Sequence, residues 1–222
     1  MEKVIAIDGP SASGKSTLAR NLAEKLHIPY INTGSMFRAT ALAAQKRNIA
    51  WDDEKALAEM LRNISMEYRT NDQGDYELYC DGDFPGEKLR SSEIAAGASK
   101  VGTYPTVREE LKRLQQQMSK IGWLVMEGRD IGTVIFPQAQ YKFFVTASPM
   151  ERARRRLAQE GDKAGGTLEE VAAAIAERDK QDSTRAVAPL KPANDAELVD
   201  NSNMTMEETF SYIYNKVKNA VL

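Results

Sequence analysis

Eight residues near the start of the chain, Gly9-Pro10-Ser11-Ala12-Ser13-Gly14-Lys15-Ser16, fit the pattern G-x-x-x-x-G-K-[ST]. Residues of these types at this spacing bind phosphate. Two glycines let the backbone wrap so that successive amides converge on one hollow. A lysine adds a full charge for the β- and γ-phosphates of a nucleotide, and the serine hydroxyl can ligate Mg²⁺. Gly9, Pro10, Ser11, Ala12, Ser13, Gly14, Lys15, Ser16 and Thr17 are therefore the candidate ATP-binding residues, with Ser16 as the candidate Mg²⁺ ligand.

Such a loop needs a strand before it and a helix after it. Val4 to Ile7 is a short β-branched run of the kind that forms a buried parallel strand. After the loop, Leu18, Leu22 and Leu26 recur every fourth residue with Ala19 and Ala23 beside them, which predicts an amphipathic helix whose N-terminus adds unpaired N–H groups to the phosphate site. Further along, apolar runs at 28–31, 123–126, 142–146 and 198–200 predict strands, and helical patterns separate them. The alternation predicts an α/β fold with a doubly wound parallel sheet of the phosphate-loop NTPase type, flanked by helices. Ligands then sit beyond the carboxyl ends of the strands. Those ends carry Asp8-Gly9, Asn32-Thr33 and Glu127-Gly128-Arg129-Asp130, all polar breaks directly after apolar runs.

The texture changes between Ile64 and Arg90. Met66, Tyr68, Tyr76, Leu78 and Cys80 sit two apart within short segments, punctuated by Asn71-Asp72-Gln73-Gly74 and Asp81-Gly82-Asp83. This predicts a small antiparallel meander of about three strands inserted into the chain. Helices are expected at 35–47, from Asp52-Asp53 onward, at 91–100, from Pro105 to Ile121, at 149–159, at 167–180 and at 206–221. Gly161 to Gly166 reads as a hinge-like break beside a basic helix. The expected organisation is a single domain: a core of about 1–34, 122–148 and 187–222, a monophosphate-binding region at 35–121, and a helical lid at 149–186.

Composition removes other chemistries. The 222 residues carry one histidine, His27, and one cysteine, Cys80, which excludes intramolecular disulfides and cysteine-rich metal centres and leaves little for triads and zinc centres. Cys80 reads as a packed residue and His27 as the end of the first helix. A net charge of −2 gives no global sign of nucleic-acid binding. No apolar run approaches the roughly 20 residues of a membrane span, and the first strand begins at once, which predicts a cytoplasmic protein. No hydrophobic seam announces an oligomer, so a monomer is expected. A guanine-reading N-K-x-D is missing: the Asn215-Lys216 pair continues as Val217-Lys218.

The arginines suggest what receives the phosphoryl group. Arg38 lies on the helix after the second predicted strand, Arg108 near the start of a later helix and Arg129 at a strand end, Arg152, Arg155 and Arg156 share a helical face, and Arg178 and Arg185 flank the segment 179–184. Two phosphates held close together need several guanidinium forks. A phosphate acceptor is largely a dianion at neutral pH and needs no base to take a proton, which suits a catalyst of Lys, Arg and Mg²⁺.

At these residues the chain resembles the bacterial-type cytidylate kinases, a nucleoside monophosphate kinase family, over essentially its whole length. The resemblance is carried by IDGPSASGKST (7–17), NTGSMFRATALAA (32–44), ASKVGTYPTVRE (98–109), EGRDIGTVIFP (127–137) and ERDKQDSTRAVAPL (177–190). It implies transfer of the ATP γ-phosphoryl group to CMP or dCMP with Mg²⁺. Arg38, Arg129 and Arg178 would hold the acceptor phosphate. Ser99, Arg108 and Asp130 would read the cytosine edge, and Asp182, supported by Arg185, the ribose hydroxyl. Thr33 and Phe37 would complete the CMP site. Lys15, Arg129, Arg155 and Arg178 would be catalytic, Arg155 from the lid. The meander resembles the insertion that marks the bacterial type. Two positions depart from the family pattern: Asn32 stands where it usually has Asp, and Phe37 where it usually has Tyr. Beside this reading stand a kinase for another small acceptor (UMP, AMP, dTMP or shikimate) and a non-catalytic nucleotide-binding module.

Overall fold

The computed structural model describes residues 1–71, 74, 76–161 and 165–222. It divides into two compact units, Met1–Tyr30 with Trp123–Leu222, and Ile31–Gly122.

The first unit is built on a sheet of five strands in the order β2-β5-β1-β6-β7. These are β1 (Glu2–Asp8), β2 (Tyr30–Asn32, where the chain passes from one unit to the other), β5 (Leu124–Gly128), β6 (Ala139–Thr146) and β7 (Glu197–Asp200). β1 pairs in parallel with β5 on one side and β6 on the other, and β6 pairs in parallel with β7. The order reverses at β1, so its carboxyl end is the switch point where an α/β sheet opens a crevice for ligand. Register sharpens this: Asp8 lies opposite Gly128 on β5 and Phe144 on β6. The chain therefore leaves β1 and β5 side by side, and the segments 9–16 and 129–135 start as neighbours.

Helix α1 (Lys15–Leu26) begins at Gly14, whose φ of 84° is left-handed, and ends on His27, which is also left-handed and returns its N–H to Ala23 and Glu24. Its Leu18, Leu22 and Leu26 pack with Ile5, Ile7, Val125, Phe143 and Val145 of the sheet and with Ile213 and Val217 of α8 (Met206–Val221). α6 (Pro149–Glu160) starts at Ser148, whose hydroxyl accepts from the Glu151 N–H, with Pro149 in the first turn where its missing donor costs nothing. α7 (Leu168–Thr184) opens on a capping box between Thr167 and Glu170 and runs one turn further than the expected end at Lys180. Ala153 of α6 and Val171, Ala172 and Ile175 of α7 form their own small apolar cluster, against which Ala12 of the phosphate loop packs. Of the expected break at 161–166, residues 162–164 lie outside the described residues.

The second unit holds α2 (Thr33–Lys46), α3 (Glu54–Asn63), α4 (Ser92–Val101), α5 (Pro105–Met118) and a hairpin of β3 (Met66–Thr70) and β4 (Tyr76–Cys80). Met36, Leu57, Leu61, Val101, Val107 and Leu111 are at its centre. The sequence pattern pointed to about three strands here, and the described residues contain two. Asp81 and Gly82 both take positive φ, 51° and 82°, and reverse the chain at once. Only Cys80 and Asp83 then pair, exchanging both backbone hydrogen bonds, and Pro85, which has no N–H, leads into a 3-10 turn at Gly86–Arg90. Within the expected turn at 71–74, Asp72 and Gln73 lie outside the described residues. α5 stops at Met118, three residues short of the expected end, and continues as a single 3-10 turn.

Candidate active site

The phosphate loop is shaped by contacts that only glycine permits. A Cβ on Gly9 would lie 2.1 Å from the Val145 carbonyl oxygen of β6, so the backbone passes directly over the sheet. Three loop carbonyls are then pinned by side chains. Lys15 Nζ donates to Pro10 O at 2.9 Å, Arg152 Nη1 to Ser11 O at 3.0 Å, and Asn201 Nδ2 to Ser13 O at 3.1 Å. In a planar trans peptide the N–H points opposite to the C=O. Each pinned carbonyl therefore turns the next amide, at Ser11, Ala12 and Gly14, away from its pin. Ser16 and Thr17, at the start of α1, are exposed. Ser13 is buried, and its hydroxyl makes no hydrogen bond among the described residues.

Lys15 is itself buried, and burial lowers its pKa to about 7, assisted by Arg129 and Arg178 and opposed by Glu127 and Asp182. Those four groups are thus the electrostatic surroundings of the lysine, and all come from the same unit. Asp8 closes β1 and accepts from the N–H groups of Ile131 at 2.8 Å and Gly132 at 2.7 Å, tying the end of β1 to the π-helical turn Ile131–Ile135. Burial raises the Asp8 pKa to about 7 against those two hydrogen bonds. Glu127 is buried at the end of β5 and accepts from the Tyr30 hydroxyl at 2.7 Å.

Four of the residues singled out in the sequence form one chain of charge. Arg129 Nε donates to Asp182 at 3.0 Å, Arg185 stands 3.7 Å from the other Asp182 oxygen, and Arg185 Nη2 lies 4.0 Å from the buried Asp130. Arg185 is oriented by a hydrogen bond from Nε to Ala188 O at 2.6 Å, and Leu190 N–H donates to Asp182 O at 2.8 Å. The stretch Ala188-Pro189-Leu190 thus folds back on the end of α7. Arg155 is turned to the strand end of β7: it donates to the Asn201 side chain at 2.9 Å and to the Asn201 carbonyl at 2.7 Å. Its Nη1 is 4.0 Å from where a Cβ on Gly14 would stand, so the guanidinium borders the loop.

In the second unit, Arg108 is nearly buried, lies over the Phe37 ring at 5.3 Å from its centroid, and donates to Gly102 O at 3.1 Å. Arg38 reaches the Ser35 hydroxyl at 3.2 Å. Thr33 is buried in the first turn of α2. Ser99 is exposed, and its hydroxyl donates to Ala95 O within α4 at 3.2 Å. Asn32 is the N-cap of α2, its side chain accepting from Ser35 N–H at 3.0 Å, while the Tyr68 hydroxyl of the hairpin donates to its carbonyl at 2.7 Å. The departure from Asp at this position keeps the capping oxygen.

Sequence reasoning passed over Asn201, which is 1% exposed, and gave Asp8 no defined partner. Asn201 follows β7 at its carboxyl end, one residue beyond Asp200, where the signal that marked Asp8, Asn32 and Glu127, a polar residue directly after an apolar run, was present too.

A loop of this shape at the switch point of a parallel sheet, with buried lysine and clustered arginines, defines a phosphate-loop nucleotide-binding α/β protein. The pattern of the family described as Cytidylate kinase matches residues 5–219. A cytidylate kinase of Geobacter sp. (strain M21) is 42% identical over 218 residues, covering 97% of this chain and 92% of that one. The cytidylate kinase of Pelotomaculum thermopropionicum is 43% identical over 216 residues, with 96% and 95% covered. That of Pasteurella multocida is 42% identical over 209 residues, with 94% and 92% covered. Among solved structures, an uncharacterized protein from Eubacterium ventriosum shares the fold, with a TM-score of 0.50 at 14% identity over 98% of each chain. The chain belongs to the cytidylate kinase family.

Proposed function

We propose that the protein transfers the γ-phosphoryl group of ATP to CMP or dCMP, giving ADP and CDP or dCDP. The observation that carries this reading is the surround of Lys15: a buried lysine under the loop, acted on by Arg129 and Arg178, with Arg129 in turn joined to Asp182. A lysine acted on electrostatically by two arginines is held at a cost that two anionic phosphates arriving among them would relieve. The loop amides and Lys15 hold the β- and γ-phosphates of ATP. Arg129 and Arg178 neutralise the acceptor phosphate and the charge that develops between donor and acceptor, and Arg155 does so from α6. The residues at 149–186 act as the lid over this chemistry, and residues 35–121 as the monophosphate-binding region.

Thr33, Phe37, Arg38, Ser99, Arg108, Arg129, Asp130, Arg178, Asp182 and Arg185 recognise CMP. An acceptor carboxylate such as Asp130 favours the exocyclic amine of cytosine over the carbonyl of uracil, because it can accept a hydrogen bond and cannot donate one. Mg²⁺ fits the donor set here. Ser16 is exposed at the loop. That is what an ion held by one hydroxyl, substrate phosphates and water requires, and it would supply charge neutralisation on the triphosphate. Among the described residues no helix is long and apolar enough to cross a membrane. We take the enzyme to act as a monomer in the cytoplasm.

Initial rates with ATP, Mg²⁺ and equal CMP, dCMP, UMP and AMP test the reading. CMP and dCMP should dominate, and Asp130→Ala should lose about 10²-fold of the preference over UMP. Negligible transfer to CMP by folded protein, or a preference for AMP, would overturn it.

A further inference from the structure

Arg152 was grouped by spacing with the other arginines of its helix, yet it is 3% exposed and points away from any solvent-facing role. All three of its nitrogens donate. Nε goes to Ala147 O at 2.8 Å, Nη1 to Ser11 O in the phosphate loop at 3.0 Å, and Nη2 to Asp179 Oδ2 on α7 at 2.6 Å. The second oxygen of Asp179 is buried and takes no hydrogen bond among the described residues, so this carboxylate depends on Arg152. Asp179 follows Arg178, which acts on Lys15, and lies one turn before Asp182, which holds Arg129. At the loop end, Ala12 takes a left-handed φ of 58°, a strained setting for a residue with a Cβ, and packs on the apolar cluster between α6 and α7. The planar guanidinium thus spans two structures of different purpose. One is a loop peptide whose N–H is turned opposite to Arg152. The other is the helix that carries Arg178 and Asp182.

We propose that Arg152 is a positioning residue that joins the donor loop to α7 through Asp179, so that occupation of the loop by ATP and of the α7 side by the acceptor monophosphate strengthen one another. Arg152 itself touches neither substrate. Seating a triphosphate in the loop fixes the peptide between Ser11 and Ala12. This fixes the guanidinium, and the guanidinium fixes Asp179 and with it Arg178 and Asp182. By linkage the acceptor acts back on the donor by the same factor. A lysine cannot replace this residue, because a point charge does not span two acceptors in a fixed plane. This inference rests on the proposed kinase reading for the roles of Arg178 and Asp182.

The test is isothermal titration of CMP with and without a saturating non-hydrolysable ATP analogue, on wild type, Arg152→Lys and Asp179→Asn, with the melting temperature of each. In the wild type the analogue should tighten CMP at least about fivefold. In Arg152→Lys and in Asp179→Asn that factor should fall to within about twofold of unity, while CMP alone binds each variant at near wild-type strength. A purely structural role lowers the melting temperature and leaves the factor unchanged, which overturns the proposal. A wild type that shows no mutual tightening overturns it as well. If Arg152→Lys does not fold, Asp179→Asn, which keeps the side-chain shape and one acceptor oxygen, decides alone. The coupling is measured with whichever of CMP, dCMP, UMP and AMP the wild type turns over fastest. A wrong acceptor therefore sinks the CMP reading while the coupling result still stands or falls on its own.

Discussion

The two units hold their functional side chains in opposite ways. In the first, charged groups sit among other charges: Lys15 beneath the loop feels Arg129 and Arg178, Arg152 is paired to Asp179, and Arg129 to Asp182. In the second, the candidate groups lean on their own local backbone or on a ring: Arg108 on Gly102 and Phe37, Ser99 on Ala95, Arg38 on Ser35. Desolvated charge is costly to assemble and costly to disrupt, and in return it is preorganised for ligand. Local hydrogen bonds to backbone or hydroxyl oxygens cost less to exchange for hydrogen bonds to a ligand. One unit stores its binding energy as electrostatic strain, and the other keeps replaceable contacts. Substitutions in the first should therefore change both stability and chemistry, with opposite signs where a like-charge crowd is relieved. Substitutions in the second should change selectivity.

The sharpest break comes at Lys15. Lys15→Met should lower kcat/KM by about 10³-fold, as expected for removing a charge aimed at the transferring group. The ligand-free melting temperature should not fall, because the replaced ammonium is buried beside Arg129 and Arg178 and held there at a cost. A loss of stability together with activity would remove the contrast between the units. Differential scanning calorimetry beside initial rates checks both halves.

Proton counting sharpens the same point. A lysine whose pKa has been lowered to about 7 is mostly neutral at pH 8, and the phosphates of ATP restore its charge. Binding of ATP at pH 8 should therefore take up close to one proton, read from the dependence of the calorimetric heat on buffer ionisation enthalpy, and Lys15→Met should abolish that uptake. The stability of the ligand-free protein should follow the same signs. Asp8, raised to about 7, contributes stability that is fully present below the usual carboxylate range and is lost as pH rises through 7. Lys15, lowered to about 7, contributes stability that is present above the usual lysine range and is lost as pH falls through 7. Both costs are greatest around neutrality. Relative to wild type, the melting temperature of Asp8→Asn should rise by several degrees between pH 5 and pH 8, on top of a constant loss from the weaker acceptor.

What could be read in the sequence divides along physical lines. The loop was legible because its function is local: glycines, lysine and serine lie on eight consecutive residues between a β-branched run and a leucine-striped helix. The parallel sheet followed from the alternation of such runs. The separate charge pairs were not legible. Arg129 and Asp182 are 53 residues apart, and nothing in spacing distinguishes the buried Arg152 from the partly exposed Arg155 and Arg156 on the same helical face. An arginine in a basic helix reads as solvated until the fold supplies Ser11 and Asp179 on one side of it. The meander failed for a local reason that period-two alternation does not encode: positive φ at Asp81 and Gly82, then a proline, ended the pairing after two strands.

The smallest effects are expected where the chain departs from its family, and they bear on the second unit. Asn32 contributes a side-chain oxygen to the Ser35 N–H and its backbone to Tyr68, and Asp would supply the same oxygen at the same position. Asn and Asp are equally good N-caps, apart from the interaction of a full negative charge with the helix N-terminus. Asn32→Asp should therefore shift unfolding free energy by no more than about 0.5 kcal/mol. Asn32→Ala should cost about 1 kcal/mol, because the orphaned N–H of Ser35 then has no cap. Urea melts at constant m-value measure both. If Asn32→Asp instead changed the KM for CMP several-fold with stability unchanged, position 32 would act on the ligand through its charge, and this unit would store electrostatics after all, as the first one does.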